Sequence, residues 1–253
     1  MPQNLTFTTH VSGHTAQGME LRGHNLTELV KEANFVSTLF LSLTGRKPTS
    51  AEEKILNAIL VASIDHGINP ASGFVPRVVA ASGNEILTAM ASTLLALGPY
   101  HGGAITAAME VFSHLQQQNH DKEKACADLV AGYRQTKKRV PGYGHAHYRD
   151  EDPRTTQLFN LAQQAGLNVD VINLARLLEL KIEENLNRKL VLNIDGAIAA
   201  LLVTLGIDPK AGNAIFGVAR VAGSIAHIVE EQNSGEWVRR LDEDQVNYTP
   251  DHR

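Results

Sequence analysis

Val140–Arg154, VPGYGHAHYRDEDPR, concentrates residue types that do chemistry. A Pro141-Gly142 turn, Tyr143 and a second glycine at Gly144 lead to His145, and the segment closes on Asp152-Pro153-Arg154. Glycine has no Cβ and tolerates positive φ, so a Gly-x-Gly pair lets the backbone come close to a bulky ligand. Lys137, Lys138 and Arg139 precede the loop, and Arg149 and Arg154 follow its histidine. That field favours an anionic ligand bearing phosphate or carboxylate groups. A solvated basic turn with a surface histidine has the same local spacing, so the rest of the chain must decide between them.

Three other places share one pattern, a helix ending in a Gly, Pro or Asn turn that presents a polar side chain. They are Asp65-His66 before Gly67, His101 in GPYHGGA, and Asp195 in Asn193-Ile194-Asp195-Gly196. Helix ends leave backbone N–H and C=O groups unpaired, and loops on a rigid scaffold commonly carry catalytic groups. Each place also has a structural reading: His66 as a C-cap on the helix dipole, Asp195 as an N-cap, His101 as part of a tight turn. His114, His120, His147 and His227 read as ordinary, with His227 inside a helical pattern and packed or half exposed. No HExxH spacing occurs, and the cations around His145 and His147 would repel a divalent ion, so no metal site is expected. Walker A, strand-borne GxGxxG and GxSxG patterns are absent as well, which moves phosphoryl transfer, dinucleotide chemistry and serine hydrolysis aside.

The elements that must position these groups read as helices almost throughout. Alternation over Asn4–Val11 with a Ser12-Gly13 turn predicts a short hairpin at the start. Helical periodicity then follows in LTELVKEA, NFVSTLFLSLTG, ILNAILVASID after a Ser50/Glu53 capping box, Phe74–Ala80, ILTAMASTLLALG and AITAAMEVFSHLQQQ. After Asp121–Thr136 and the central loop come TTQLFNLAQQAG, DVINLARLLELKIEENL, AIAALLVTLG and AIFGVARVAGSIAHIVEEQ, with a polar tail from Trp237. The fold class is all-α, with roughly ten helices and many small residues that let helices approach closely.

Composition fits a folded chain: 253 residues, 43% hydrophobic and 20% charged, with a net charge of −4 that argues against a general nucleic-acid surface. The single cysteine, Cys126, excludes an intrachain disulfide, reads as a buried structural thiol, and fits a reducing compartment. The N-terminus shows no charged n-region with an apolar h-region, and no apolar run reads as membrane-spanning. A cytoplasmic protein without membrane partners is expected.

GPYHGGA, PGYGHAHYRDEDPR, NIDG and FGVAR, in that order, resemble the citrate synthase superfamily, and LRGHNLTELVKEANFVSTLFLSLTGRKPTSAEE looks like its N-terminal signature. The resemblance covers nearly the whole chain. It departs from full-length synthases in one respect: little more than one helix separates the Pro48-Thr49 turn from His66, where the synthases insert a long helical region. That shortening, with Asp65-His66-Gly67 in place of Asp-His-Glu, points to the citryl-CoA lyase branch and to the equivalent C-terminal module of ATP-citrate lyase.

The resemblance implies a large domain, 1–120 with 206–253, and a small domain, 121–205, that closes over the substrate. It also implies a homodimer, for which the alanine-rich stretches Ile86–Leu97 and Ala104–Leu115 are natural interface candidates. The implied reaction cleaves citryl-CoA to oxaloacetate and acetyl-CoA, with His145 taking the hydroxyl proton, His101 bonding the enol oxygen and Asp195 protonating carbon. His101 should be neutral and held by a backbone partner. His66, Arg154, Arg220 and, more loosely, Arg240 from a partner subunit match the family's substrate contacts, with Arg239 as the less favoured alternative to Arg240. CoA would lie over Pro141, Gly142, Tyr143, Gly144 and Asn193, its phosphates near Lys137, Lys138, Arg139 or Arg149. No permanently bound cofactor is implied; the CoA thioester is substrate, and a separate citryl-CoA synthetase would supply it. A compact citrate or 2-methylcitrate synthase, and a non-catalytic acyl-CoA-binding subunit, are the alternatives.

Overall fold

A computed structural model describes residues 6–118 and 121–250. Among them, eleven α-helices account for most of the chain, and the one sheet is small and antiparallel, in the order β1-β2-β3. Strand β1 is Ser12–Thr15, β2 Gly18–Leu21 and β3 His24–Asn25. The expected hairpin therefore forms further along than the alternation placed it. Thr6–Thr9 take no regular structure, Ser12-Gly13 lie in a strand, and the turn is at Ala16-Gln17, where Gly18 supplies φ +108°. Asn4, Leu5 and His120, on which other expectations fall, lie outside the described residues.

The helices are α1 (Leu26–Glu32), α2 (Phe35–Thr44), α3 (Ser50–Ser63), α4 (Ala71–Ala81), α5 (Ile86–Leu95) and α6 (Ala104–Gln117). They continue with α7 (Lys122–Gln135), α8 (Pro153–Gln164), α9 (Asp170–Leu186), α10 (Ile194–Thr204) and α11 (Gly212–Asn233). Local chemistry explains the ends. Asn34 and Ser37 form a reciprocal capping box on α2, which Gly45 ends at φ +79°. Asp121 caps α7, and Asn187 ends α9 in the left-handed region at φ 48°. Several helices start earlier than periodicity suggested. Among them, α3 begins at Ser50 because Thr49 and Glu52, in place of the expected Ser50 and Glu53, form the reciprocal cap. For α4 the start is Ala71, and for α10 it is Ile194, because the Asn193 side chain accepts the Gly196 N–H and so begins the helix before Asp195.

The chain packs as two units, Met1–Ala62 with Gly102–Ile215, and Ser63–His101 with Phe216–Arg253; the expected small domain, 121–205, falls whole inside the first. In the first unit α10 is the central helix: Gly196–Leu202 are all buried, and it packs against α6, α8 and α9. A helix apolar on every side belongs in a core. Ile105, Met109 and Phe112 of α6 and Leu178 and Ile182 of α9 are also fully enclosed. The Ala104–Leu115 stretch thus directs Ile105, Ala108 and Met109 inward. Cys126 is enclosed too, and burial pushes its thiol up to about 11, as a structural cysteine requires.

In the second unit Ala80, Ala89 and Ile228 form the core where α4, α5 and α11 meet. One expectation is corrected here: Pro209–Asn233 is long and apolar enough to span a membrane by length and composition. Three of its charged or titratable residues, Arg220, His227 and Glu231, lie on one face and are engaged by contacts inside this unit. Arg220 bonds Ser63 O, His227 pairs with Asp65, and Glu231 is bracketed by Arg77 and Arg239.

Candidate active site

The predicted catalytic groups divide between the two units, with His145 and Asp195 in the first and His101 in the second. In the first unit the 142–144 loop lies antiparallel to Val191–Asn193: Gly144 N donates to Val191 O at 2.7 Å and Asn193 N to Gly142 O at 3.0 Å. The Asn193 amide donates to Gly144 O at 2.8 Å while its oxygen caps α10, so both ends of this expected cofactor contact are engaged within the chain. Leu192 is held from both sides, its N–H by Glu179 Oε1 at 2.7 Å and its carbonyl by the Thr155 hydroxyl at 3.3 Å. The loop bearing His145 and the first turn bearing Asp195 are thereby locked together.

His145 Nδ1 accepts the backbone N–H groups of His147 at 3.0 Å and Tyr148 at 3.1 Å, and its ring packs on Tyr148 at 4.5 Å between centroids. Two donors at Nδ1 mean that the neutral ring carries its proton on Nε2. Nε2 lies 3.4 Å from Arg154 Nη2, so two donors stand side by side, an arrangement suited to an oxygen carrying negative charge. Arg154 is aimed by Asp152, which is fully buried and accepts from Nε at 3.0 Å and from Nη2 at 2.8 Å. Burial alone would raise the Asp152 carboxyl; hydrogen bonds and charge from Arg154 outweigh it and hold it below the usual range. The Asp152 bond in turn raises Arg154.

Beside this loop is a cleft of about 400 Å³ lined by Arg139, Arg149, Arg188 and Lys189, with Tyr143, Gly144 and Tyr148. Of the expected CoA contacts, Arg139, Tyr143, Gly144 and Arg149 line it; Lys137, Lys138, Pro141, Gly142 and Asn193 do not. The Tyr143 hydroxyl is committed to Ala175 O at 2.8 Å, and its burial pushes the phenol well above its ordinary value. Arg188 and Lys189 escaped sequence reasoning. The available signal was two cations directly after Asn187, a residue type that often ends helices.

In the second unit His101 sits at the end of a tight turn, its N–H and C=O paired with Gly98 at 2.8 and 2.9 Å, with Gly102 at φ +71°. Its expected backbone partner is instead a side chain. Buried Ser72 places Oγ 2.8 Å from His101 Nε2 and accepts from Arg220 Nη1 at 3.3 Å. Ser72 Oγ thus bridges His101 Nε2 and the Arg220 guanidinium. Burial, then the charges of Arg220 and His66, push the imidazole below its ordinary value. Arg220 is 5% exposed and also donates from Nε to Ser63 O at 3.0 Å. His66 is exposed on the loop after α3. Arg240 is exposed in the tail, whereas Arg239 is tied to Glu231 at 2.5 Å and to Glu236.

Residues 22–240 match the family described as "Citrate synthase, C-terminal domain". Citrate synthase 2 of Bacillus subtilis is 27% identical over 221 residues, covering 86% of this chain and 58% of that protein. The 2-methylcitrate synthase of Shewanella oneidensis is 29% identical over 201 residues, 78% of this chain and 52% of that one. The chain thus spans little more than half the length of these relatives. The solved citryl-CoA lyase of Hydrogenobacter thermophilus is similar end to end, with 36% identity, a TM-score of 0.89, and coverage of 98% of this chain and 96% of that one. An ATP citrate lyase of Methanosaeta concilii, solved with (3S)-citryl-CoA, shares the fold at TM-score 0.84 and 20% identity, this chain matching 43% of it. A match over most of the chain, with the His101, His145 and Asp195 segments inside it, establishes that the protein belongs to the citrate synthase family.

Proposed function

We propose that the chain is a citryl-CoA lyase, cleaving citryl-CoA to oxaloacetate and acetyl-CoA. What carries this reading is the mutual coverage of 98% and 96% with a citryl-CoA lyase, against partial coverage of the synthases. The thioester's CoA portion occupies the basic cleft at Arg139, Arg149, Arg188 and Lys189. Its carboxylates meet Arg154, Arg220 and His66, with Arg240 supplied by the partner of a homodimer. The exposed Leu87, Leu94 and Leu95 of α5 are the apolar surface such a dimer would cover.

Cleavage removes the tertiary hydroxyl proton, breaks the adjacent C–C bond as the ketone forms, and leaves an electron pair on the thioester enolate. Neutral His101 donates to the enolate oxygen, and protonated Asp195 delivers a proton to carbon. At the hydroxyl oxygen His145 takes the proton at Nε2, the ring atom beside Arg154 Nη2. Nε2 can accept once the ring's own proton sits on Nδ1 and the His147 and Tyr148 N–H groups have released that atom. Arg154 then stabilises the oxygen as the C–C bond breaks.

The test is product analysis with citryl-CoA, oxaloacetate followed by NADH oxidation in a coupled assay and free CoA by a thiol reagent. Oxaloacetate with acetyl-CoA and no free thiol supports the lyase. Citrate with free CoA means a compact hydrolysing synthase, and CoA binding without turnover means an acyl-CoA-binding subunit.

A further inference from the structure

One face of α11 meets three consecutive residues of the segment that leads to His66. Arg220, Gly223 and His227 follow one another at i, i+3 and i+7, the spacing of a helical stripe. Arg220 Nε donates to Ser63 O at 3.0 Å. A Cβ built on Gly223 would lie 1.9 Å from Ile64 O, so only glycine lets the backbone rest there. His227 Nε2 pairs with Asp65 Oδ1 at 3.0 Å, and since a carboxylate accepts, the imidazole donates. The other Asp65 oxygen accepts Gly67 N–H at 3.1 Å, closing the backbone over His66. From the far side α4 braces the same turn, because a Cβ on Gly73 would lie 2.3 Å from Gly67 O.

The residues on either side of His66 are thus fixed while its own side chain is exposed. A ring used only to stabilise the fold would gain little from a partner that is itself 43% exposed at its side chain. We propose that His227 is a positioning residue: through Asp65 it fixes the His66 turn so that His66 meets a substrate carboxylate. The proposal rests on the reading of His66 given under the proposed function.

Oxaloacetate and CoA are titrated separately into the full-length protein by calorimetry, with kcat and KM for citryl-CoA measured alongside. His227→Ala is expected to weaken oxaloacetate binding about tenfold, as losing one charge-assisted hydrogen bond would, and to leave CoA affinity unchanged. His227→Gln, whose amide N–H can reach Asp65, is expected to restore binding to within about threefold. The Asp65→Ala/His227→Ala pair should bind oxaloacetate no more weakly than the worse of its two single variants. Should His227→Ala lose the wild-type circular-dichroism spectrum, Asp65→Ser carries the same comparison. If His66→Ala weakens oxaloacetate binding and His227→Ala does not, the positioning role is overturned and the His66 contact stands. If His66→Ala binds like wild type, both are overturned.

Discussion

Gly142 and Gly196 touch backbone to backbone: a Cβ on Gly142 would lie 2.7 Å from the Gly196 Cα, and one on Gly196 would lie 2.5 Å from Gly142 O. This contact joins the loop that carries His145 to the helix turn that carries Asp195. Gly142 also adopts φ +85°, which disfavours any side chain there even where space allows.

Gly196→Ala should therefore act on stability and activity together. Its Cβ meets the Gly142 carbonyl oxygen, which cannot withdraw without moving the paired 142–144 and 191–193 segments, and the Leu192 side chain, which must repack. A loss of about 1–3 kcal/mol is expected from such overpacking. Chemical denaturation reads it directly, and an unchanged midpoint would show that the contact is looser than described.

Asp195→Asn tests the chemistry with the least disturbance. The residue lies in the first turn of α10, whose cap is Asn193, so the helix start survives the change. If Asp195 protonates carbon as proposed, its loss should lower kcat about 10²–10⁴-fold and leave CoA affinity unchanged. Wild-type turnover in this variant would remove Asp195 from the mechanism.

Much of this arrangement was legible in the chain itself. Helix α9 was readable to the residue because Val171, Leu174, Leu178 and Ile182 repeat at helical spacing, and the three catalytic candidates stood out by their glycine-rich settings. What stayed hidden depends on tertiary pairing. Ser72 is an unremarkable serine near a helix start until folding brings it beside His101 and Arg220. Glu179 sits among the charges of α9 yet supports Leu192 across the fold. Asp152 was visible in the motif, but its role as the aiming group for Arg154 was not.

The basic cleft takes in Arg188 and Lys189, which the sequence pattern did not single out, and leaves out Lys137 and Lys138, which it did. Arg188→Ala with Lys189→Ala should weaken CoA binding and flatten its dependence on salt, because each removed cation releases one screened contact with phosphate. Lys137→Ala with Lys138→Ala, both exposed and away from that lining, should change CoA affinity by less than about twofold. A titration at two ionic strengths compares them, and equal effects would place the CoA phosphates elsewhere.

The neutral state of His101 sets an expectation for pH. Its ordinary value of 6.5 is lowered on folding, by burial first and then by the charges of Arg220 and His66. As pH falls below about 6.5 the unfolded chain therefore takes up this proton before the folded protein does. More protons bound by the unfolded state means that stability drops as pH falls through that window and is indifferent to this group above it. In His101→Gln this contribution vanishes, so the difference in unfolding free energy between wild type and variant should shrink as the medium is acidified below 6.5. Catalysis should follow the same group. Under the proposed mechanism the acid limb of kcat that belongs to His101 lies below 6.5, since the imidazolium abandons the neutral donor role. Titration of the ring carbons by NMR assigns the value, and a His101 that protonates at or above 6.5 would contradict both its burial and its part in holding the enolate.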